Sequence, residues 1–198
     1  MPRTGLKPED IRDKAIDATV AKIRELGFEK VRLTDIAREL HVSHAALYSH
    51  FKDKSALLDA VSERWLLELD AKLDAICRKK KDPIAKIHEW ALAIHRAKIE
   101  KVSRDPRLYE AFDMASEMSK PFVRDHIDNM VRQLSGLVAE AVEKAGLKNA
   151  DVVMMTRIIM ESTSAFHHPR LVAQNIQEKR EKLMLKVLDS VLAGLELI

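Results

Sequence analysis

Residues 31–58 read VRLTDIARELHVSHAALYSHFKDKSALL, and two short helical stretches separated by a tight turn can be read in them. Thr34 is placed to cap the first, whose Ile36, Ala37 and Leu40 share one face at a spacing of three and four. The chain turns at His41-Val42, and Ser43 is placed to cap the second stretch, whose Leu47 and Phe51 face inward. The small Ala37 lets the two helices approach closely. This is helix-turn-helix logic, in which the second helix lies in the major groove of DNA and its first residues meet base edges. Any small helical bundle can hold two capped helices, so periodicity by itself leaves plain packing open beside DNA binding.

Outward from this stretch, proline gives the punctuation, because it is tolerated in the first turn of a helix and breaks the interior. Asp82-Pro83 and Asp105-Pro106 each place a capping carboxylate before a first-turn proline, and Ser119-Lys120-Pro121 and Asn149 read as further starts. Gly27 and Gly146 stand where helices should stop. Apolar residues recur at helical spacing, as in Ile84, Ile87, Ala91 and Ile94, and nothing alternates long enough for a strand. The pattern predicts helices over 8–26, 34–40, 44–50, 54–77, 83–102, 106–117, 121–145 and 150–167, and a last one from 171 or 176 to 195. The expected class is all-α. The run Arg78-Lys79-Lys80-Lys81 reads as a solvated helix end, where cations meet the negative end of the dipole.

Composition excludes several classes. Of 198 residues 46% are hydrophobic and 33% charged, which gives a globular core and rules out a disordered chain. The single Cys77 excludes an intramolecular disulfide and a multi-cysteine metal site, and fits a reducing compartment. No apolar run reaches the roughly 18 residues of a membrane span. The first eight residues lack a signal peptide's apolar stretch, so the expectation is a cytoplasmic protein without a membrane partner. The net charge of +3 is silent about partners.

Gly27-Phe28, Leu33-Thr34-Asp35-Ile36-Ala37, Val42-Ser43, Leu47-Tyr48, Phe51, Lys54 and Leu57-Leu58 together resemble the amino-terminal domain of the TetR family of bacterial transcriptional regulators. The resemblance covers roughly residues 8–60, and the chain length and all-helical remainder agree with it. It implies an amino-terminal three-helix helix-turn-helix domain over 1–53 and a larger helical domain over 54–198 for effector binding and dimerisation. One departure stands at His41, where the family usually has glycine because the turn wants a positive φ; histidine tolerates that better than most side chains.

By the same resemblance, Thr34, Ser43, Tyr48, His50 and Lys54 meet the DNA backbone, and each offers a donor that phosphate accepts. Sequence reading is expected from His44, Ala45, Ala46 and Ser49, with Arg32 near the edge; the small side chains leave a large share to operator shape. Arg3 and Lys7 could serve as an arm. Residues 1–60 hold eleven Lys and Arg against ten Asp and Glu, so a basic patch must come from arrangement, and operator affinity should depend on salt.

For the remainder, the resemblance implies a homodimer and a small-molecule pocket. The wide apolar stripe of the last helix and the nearly all-round apolar helix 150–167 make these two the expected dimer interface, setting two recognition helices on a near-palindromic double-stranded operator. Candidate effector-binding residues are His88, Trp90, His95, Phe112, Met114, Met118, Phe122, Met155 and Ile159, with Met154 beside them; methionine adapts to ligands, though each is equally a core residue. No cofactor is implied. Convergence of His88, His95 and Glu161 would make a metal-sensing regulator instead, but no Glu-x-x-His is present. A helical ligand-binding protein without DNA binding is the other alternative. An enzyme is not expected, since the chain has no phosphate-binding glycine loop and no nucleophile with its base.

Overall fold

The structure, a computed structural model, describes residues 8–118 and 120–198. Arg3, Lys7 and Ser119 lie outside the described residues. Among the described residues every regular element is helical: α1 Pro8–Leu26, α2 Leu33–Glu39, α3 His44–Tyr48, α4 Lys54–Cys77, α5 Pro83–Arg104, α6 Pro106–Glu117, α7 Pro121–Ala145, α8 Val152–Ser162, α9 Pro169–Gln174 and α10 Glu181–Gly194. Single 3-10 turns occur at Phe28–Lys30 and Ser164–Phe166. The all-α expectation holds.

Pro8, Pro83, Pro106, Pro121 and Pro169 each open a helix, where the missing N–H would have had no partner anyway. Asp82 caps α5, its Oδ1 accepting from the amides of Ile84 at 3.0 Å and Ala85 at 3.2 Å. Gly146 ends α7 in the left-handed region at φ 67, and Leu147 N–H reaches back to the Val142 carbonyl at 3.2 Å.

Other expected caps are corrected. Thr34 lies inside α2, whose N-cap is Arg32. Asn149 sits at φ 60, and Asp151 caps α8 by accepting from Met154 N–H at 2.9 Å. The helix expected to run to 167 stops at Ser162. There the Thr163 hydroxyl folds back onto the Ile159 carbonyl at 2.7 Å, and Pro169 bars its predecessor from helical geometry. The expected last helix is two, because the Asn175 side-chain amide takes the Leu171 carbonyl at 2.7 Å and ends α9.

The helices form two compact units. One takes the chain up to Trp65 together with α6; the other comprises Leu66–Arg104 and Lys120–Ile198. This packing boundary falls within α4, whereas the division by role is expected at its start, between 53 and 54. The first unit buries Ile16, Ile23, Ile36, Ala37, Leu47, Phe51, Leu57 and Leu108 in one core, with Trp65 edge-on to Phe112 at 4.8 Å. The second buries Leu73, Ile87, Trp90, Ile94, Leu134, Leu137, Ile159, Leu188 and Leu192. Each fully buried Leu or Ile there stabilises the fold by ~1.5–3 kcal/mol.

Candidate nucleic-acid interface and a buried polar cluster

The turn between α2 and α3 is a Schellman motif: His41 N–H reaches the Arg38 carbonyl at 3.1 Å and Val42 N–H the Ala37 carbonyl at 3.0 Å. This closure puts His41 in the left-handed region at φ 54. Two residues on, the Ser43 hydroxyl accepts from Ala46 N–H at 3.1 Å and starts α3. Buried Leu47 pins the short helix to the core, so its register, and with it the outward face, is fixed.

That outward face carries the expected DNA-reading residues. Ser43, His44, Ala45, Tyr48 and Ser49 are exposed, and Ala46 and His50 are half-buried. Tyr48 is 48% exposed, high for a large aromatic side chain, and its ring lies 6.3 Å from that of His44 one turn back. Arg32 is exposed and Thr34 half-buried at the start of α2. Lys54, at the first turn of α4, donates to the Glu29 carbonyl at 2.6 Å, tying that helix to the Phe28–Lys30 turn. Among the described residues Arg32 and Lys52 have no acidic partner, while Arg38 pairs with Asp35 at 3.5 Å and Lys22 with Glu39 at 3.0 Å. The free cations thus lie at the two edges of the α2–α3 pair. The basic run after α4 is different: Arg78 pairs with Asp74, and Lys79 and Lys81 with Glu89, holding that carboxyl below its usual range.

The residues expected around an effector are divided between the two units. His88 bridges helices, with Nδ1 2.8 Å from the Ile84 carbonyl and Nε2 2.6 Å from Asp189. Trp90 and Ile159 are core, the indole N–H donating to Gln133 at 3.1 Å. Half-buried Met155 packs on that core, and Phe122 is half-buried. His95 is buried with Nδ1 2.8 Å from the Phe166 carbonyl. Phe112 belongs to the first unit's aromatic cluster, and Met114 and Met118 are exposed, as is Met154. Among the described residues no three His, Cys, Asp or Glu side chains form a metal site. A groove of about 240 Å³ runs along α4 and α7, lined by Asp74, Cys77, Arg132, Gln133, Gly136, Leu137 and Glu140.

The sequence reading missed a polar cluster inside the second unit. Asp70, Lys98 and His126 are all buried. Asp70 accepts from Asn129 at 2.9 Å and sits 2.5 Å from His126 Nδ1. Burial pushes the Lys98 ammonium down to about 8, against the attraction of Asp70. Burial, reinforced by Lys98, His168 and His126, pushes His167 down to about 3. The available signal was a charge within an apolar arc: Lys98 continues the face of Ile87, Ala91 and Ile94, and Asp70 that of Leu66 and Leu73.

Comparison with known proteins agrees over most of the chain. Residues 15–61 match the family described as bacterial regulatory proteins, tetR family, and residues 83–188 the tetracyclin repressor-like C-terminal domain. The HTH-type transcriptional repressor KstR of Mycolicibacterium smegmatis is 25% identical over 150 residues, 76% of this chain and 71% of that protein. The HTH-type transcriptional regulator BetI of Serratia proteamaculans is 40% identical over 60 residues, so the match spans only 30% of its length. Among solved structures, SmeT, repressor of a Stenotrophomonas maltophilia multidrug efflux pump, aligns with TM-score 0.63 and 20% identity over 96% of this chain and 91% of that one. Thermus thermophilus FadR in complex with lauroyl-CoA aligns with TM-score 0.65 and 18% identity over 92% and 94%. At these identities the structures share the fold. Among the described residues no helix is long and apolar enough to cross a membrane.

Proposed function

Because the chain belongs to the TetR family of bacterial transcriptional regulators, which are not enzymes, we propose that it is a cytoplasmic repressor that binds a near-palindromic operator as a homodimer and leaves it when a small molecule binds. The observation that carries this reading is the outward face of α3, where Tyr48 and His44 stand exposed on a helix fixed by the Ser43 cap and buried Leu47. Tyr48, Ser43, His50, Thr34 and Lys54 meet phosphates, and His44, Ala45, Ala46, Ser49 and Arg32 meet base edges. Lys54 reaches phosphate by exchanging its carbonyl partner, which a helix start also favours.

The dimer forms through α8 and α10. Val153 at 76%, Met154 at 51% and Ile158 at 37% exposure leave one face of α8 apolar and uncovered, and Leu183 at 51% does so on α10. A partner's copy of the same face would cover it. Some relatives of this fold carry ligands, such as FadR with lauroyl-CoA. The effector of this chain is received by its carboxy-terminal helices, with His95, Phe122 and Met155 as contacts. Binding favours a shape that spreads the recognition helices through α4.

The test is a mobility shift with DNA from upstream of the chain's own gene. Wild-type protein shifts it, and Tyr48→Ala, whose side chain packs on no core, loses the shift while sedimenting as an unchanged dimer. An unshifted wild type, or a Tyr48→Ala protein that binds normally, overturns the reading.

A further inference from the structure

The uncovered face of α8 carries charge as well as apolar surface. On the helical wheel Val153, Met154, Arg157, Ile158 and Glu161 share one exposed half of the helix, with both charges between Val153 and Ile158. Thr156, Ile159 and Thr163 point the other way and are buried. Among the described residues neither Arg157 nor Glu161 is paired with an opposite charge. Their spacing of four would suit a pair along the helix, as Asp74 makes with Arg78 and Glu100 with Arg104. In those two pairs the acid comes first, the favoured order, whereas Arg157 precedes Glu161. Two open charges in the middle of an apolar face are costly to cover unless the covering partner brings their opposites.

Resting on the reading of α8 and α10 as the dimer face, we propose that Arg157 and Glu161 form a charge code that selects a second copy of this chain as the partner. An antiparallel twofold at the level of residue 159 sets each Arg157 against the partner's Glu161, so that one rotation closes two ion pairs. The same rotation lays Ile158 against the partner's Ile158, with Val153 and Met154 on the flanks. A parallel pairing would put arginine on arginine and glutamate on glutamate, so the order of the two charges also fixes the orientation. A protein with an equally apolar helix but another charge order leaves charges covered and unpaired, and is rejected.

Sedimentation equilibrium of the full-length protein tests the code with three variants: Arg157→Glu, Glu161→Arg and the exchange of both. Each single substitution sets like charges together and should raise the dimer dissociation constant by about a hundredfold or more. Mixed in equal amounts, the two single variants should form a heterodimer, which also shows that each is folded. The exchanged protein, R157E with E161R, should dimerise within about tenfold of wild type. It should nevertheless fail to co-purify with tagged wild-type chains after subunit exchange. Single variants that dimerise as wild type does, an exchanged protein that stays monomeric, or one that mixes freely with wild type overturns the inference. A defect in Glu161→Arg with none in Arg157→Glu would place the exposed Lys182 or Lys186 of α10 opposite Glu161, and overturns it too. A wild-type dimer with indifferent variants brings down the charge code alone, whereas a monomeric wild type brings down the dimer reading with it.

Discussion

Arg24 and Asp105 form a two-pronged ion pair, Nε to Oδ1 at 2.6 Å and Nη2 to Oδ2 at 2.8 Å, joining the last turn of α1 to the residue before α6. Arg107 adds a second tie by donating to the carbonyls of Arg24 at 2.8 Å and Glu25 at 2.5 Å. These carbonyls end α1 and would otherwise depend on water. With Leu108 buried in the same core, α6 is fastened to the helix-turn-helix unit although it lies far along the chain.

Asp105→Asn should therefore loosen α6 without disturbing α2 and α3. The pair is half open on the arginine side, 55% against 14% for the aspartate, so screening limits its worth to about 1 kcal/mol. Urea unfolding should show a loss of that size. Amide exchange should quicken in α6, and unchanged exchange there would mean that Arg107 and Leu108 hold the helix unaided.

Ser43 is asked to do two things, and substitution can separate them. Its hydroxyl caps α3 at 3.1 Å from Ala46 N–H, and in the proposed complex it faces a phosphate. Aspartate caps as well as serine but repels phosphate. Ser43→Asp should keep stability within about 0.5 kcal/mol of wild type while weakening operator binding at least tenfold in a fluorescence titration. Ser43→Ala should instead cost ~1 kcal/mol of stability.

Helix positions were legible because their signals are local. Proline at first turns, Asp82 before Pro83, and Gly146 at the end of α7 each act within four residues. The outward face of α3 was legible for the same reason, since one buried Leu47 sets its orientation. That Asp105 also meets Arg24 was not legible, because the arginine lies far earlier in the chain. The end of α8 was misjudged because the Thr163 hydroxyl and Asn175 amide each take a backbone carbonyl, a choice that apolar periodicity does not record. His88 and Trp90 were expected around an effector, yet their polar atoms meet Asp189 and Gln133 from other helices. Of the Asp70–His126–Lys98 group the sequence shows only single charges within apolar arcs, at Lys98 and Asp70, and tertiary packing alone makes the three neighbours.

At His41 the local strain can be read directly. A non-glycine residue at φ 54 carries a penalty of ~1 kcal/mol, offset by the smaller entropy that histidine loses relative to glycine. His41→Gly should be neutral to mildly stabilising, and His41→Val, β-branched and crowded at positive φ, should cost about 2 kcal/mol. Chemical denaturation of the three proteins should give the order glycine, histidine, valine. Valine ranking with histidine would show that the Schellman turn relaxes out of the left-handed region.

Burial of Lys98 sets the sign with which it makes stability depend on pH. Its ammonium is held down to about 8 in the folded chain, from an ordinary 10.5, chiefly by burial. Below pH 8 the group is charged in both states and folding bears the whole cost of burying it. Between 8 and 10.5 the unfolded chain alone keeps the proton, so stability should rise with pH, by about 3 kcal/mol in all at 1.36 kcal/mol per unit. Tyr109, whose phenol is raised by burial, works the other way above its ordinary 10 and masks the top of this rise. The difference between wild type and Lys98→Met cancels that contribution. In guanidinium titrations the variant should be the more stable at pH 7, and its advantage should shrink steadily from pH 8 to 10. An advantage that stays constant over that range would show that Lys98 keeps its proton when folded and is held by Asp70 as a closed ion pair.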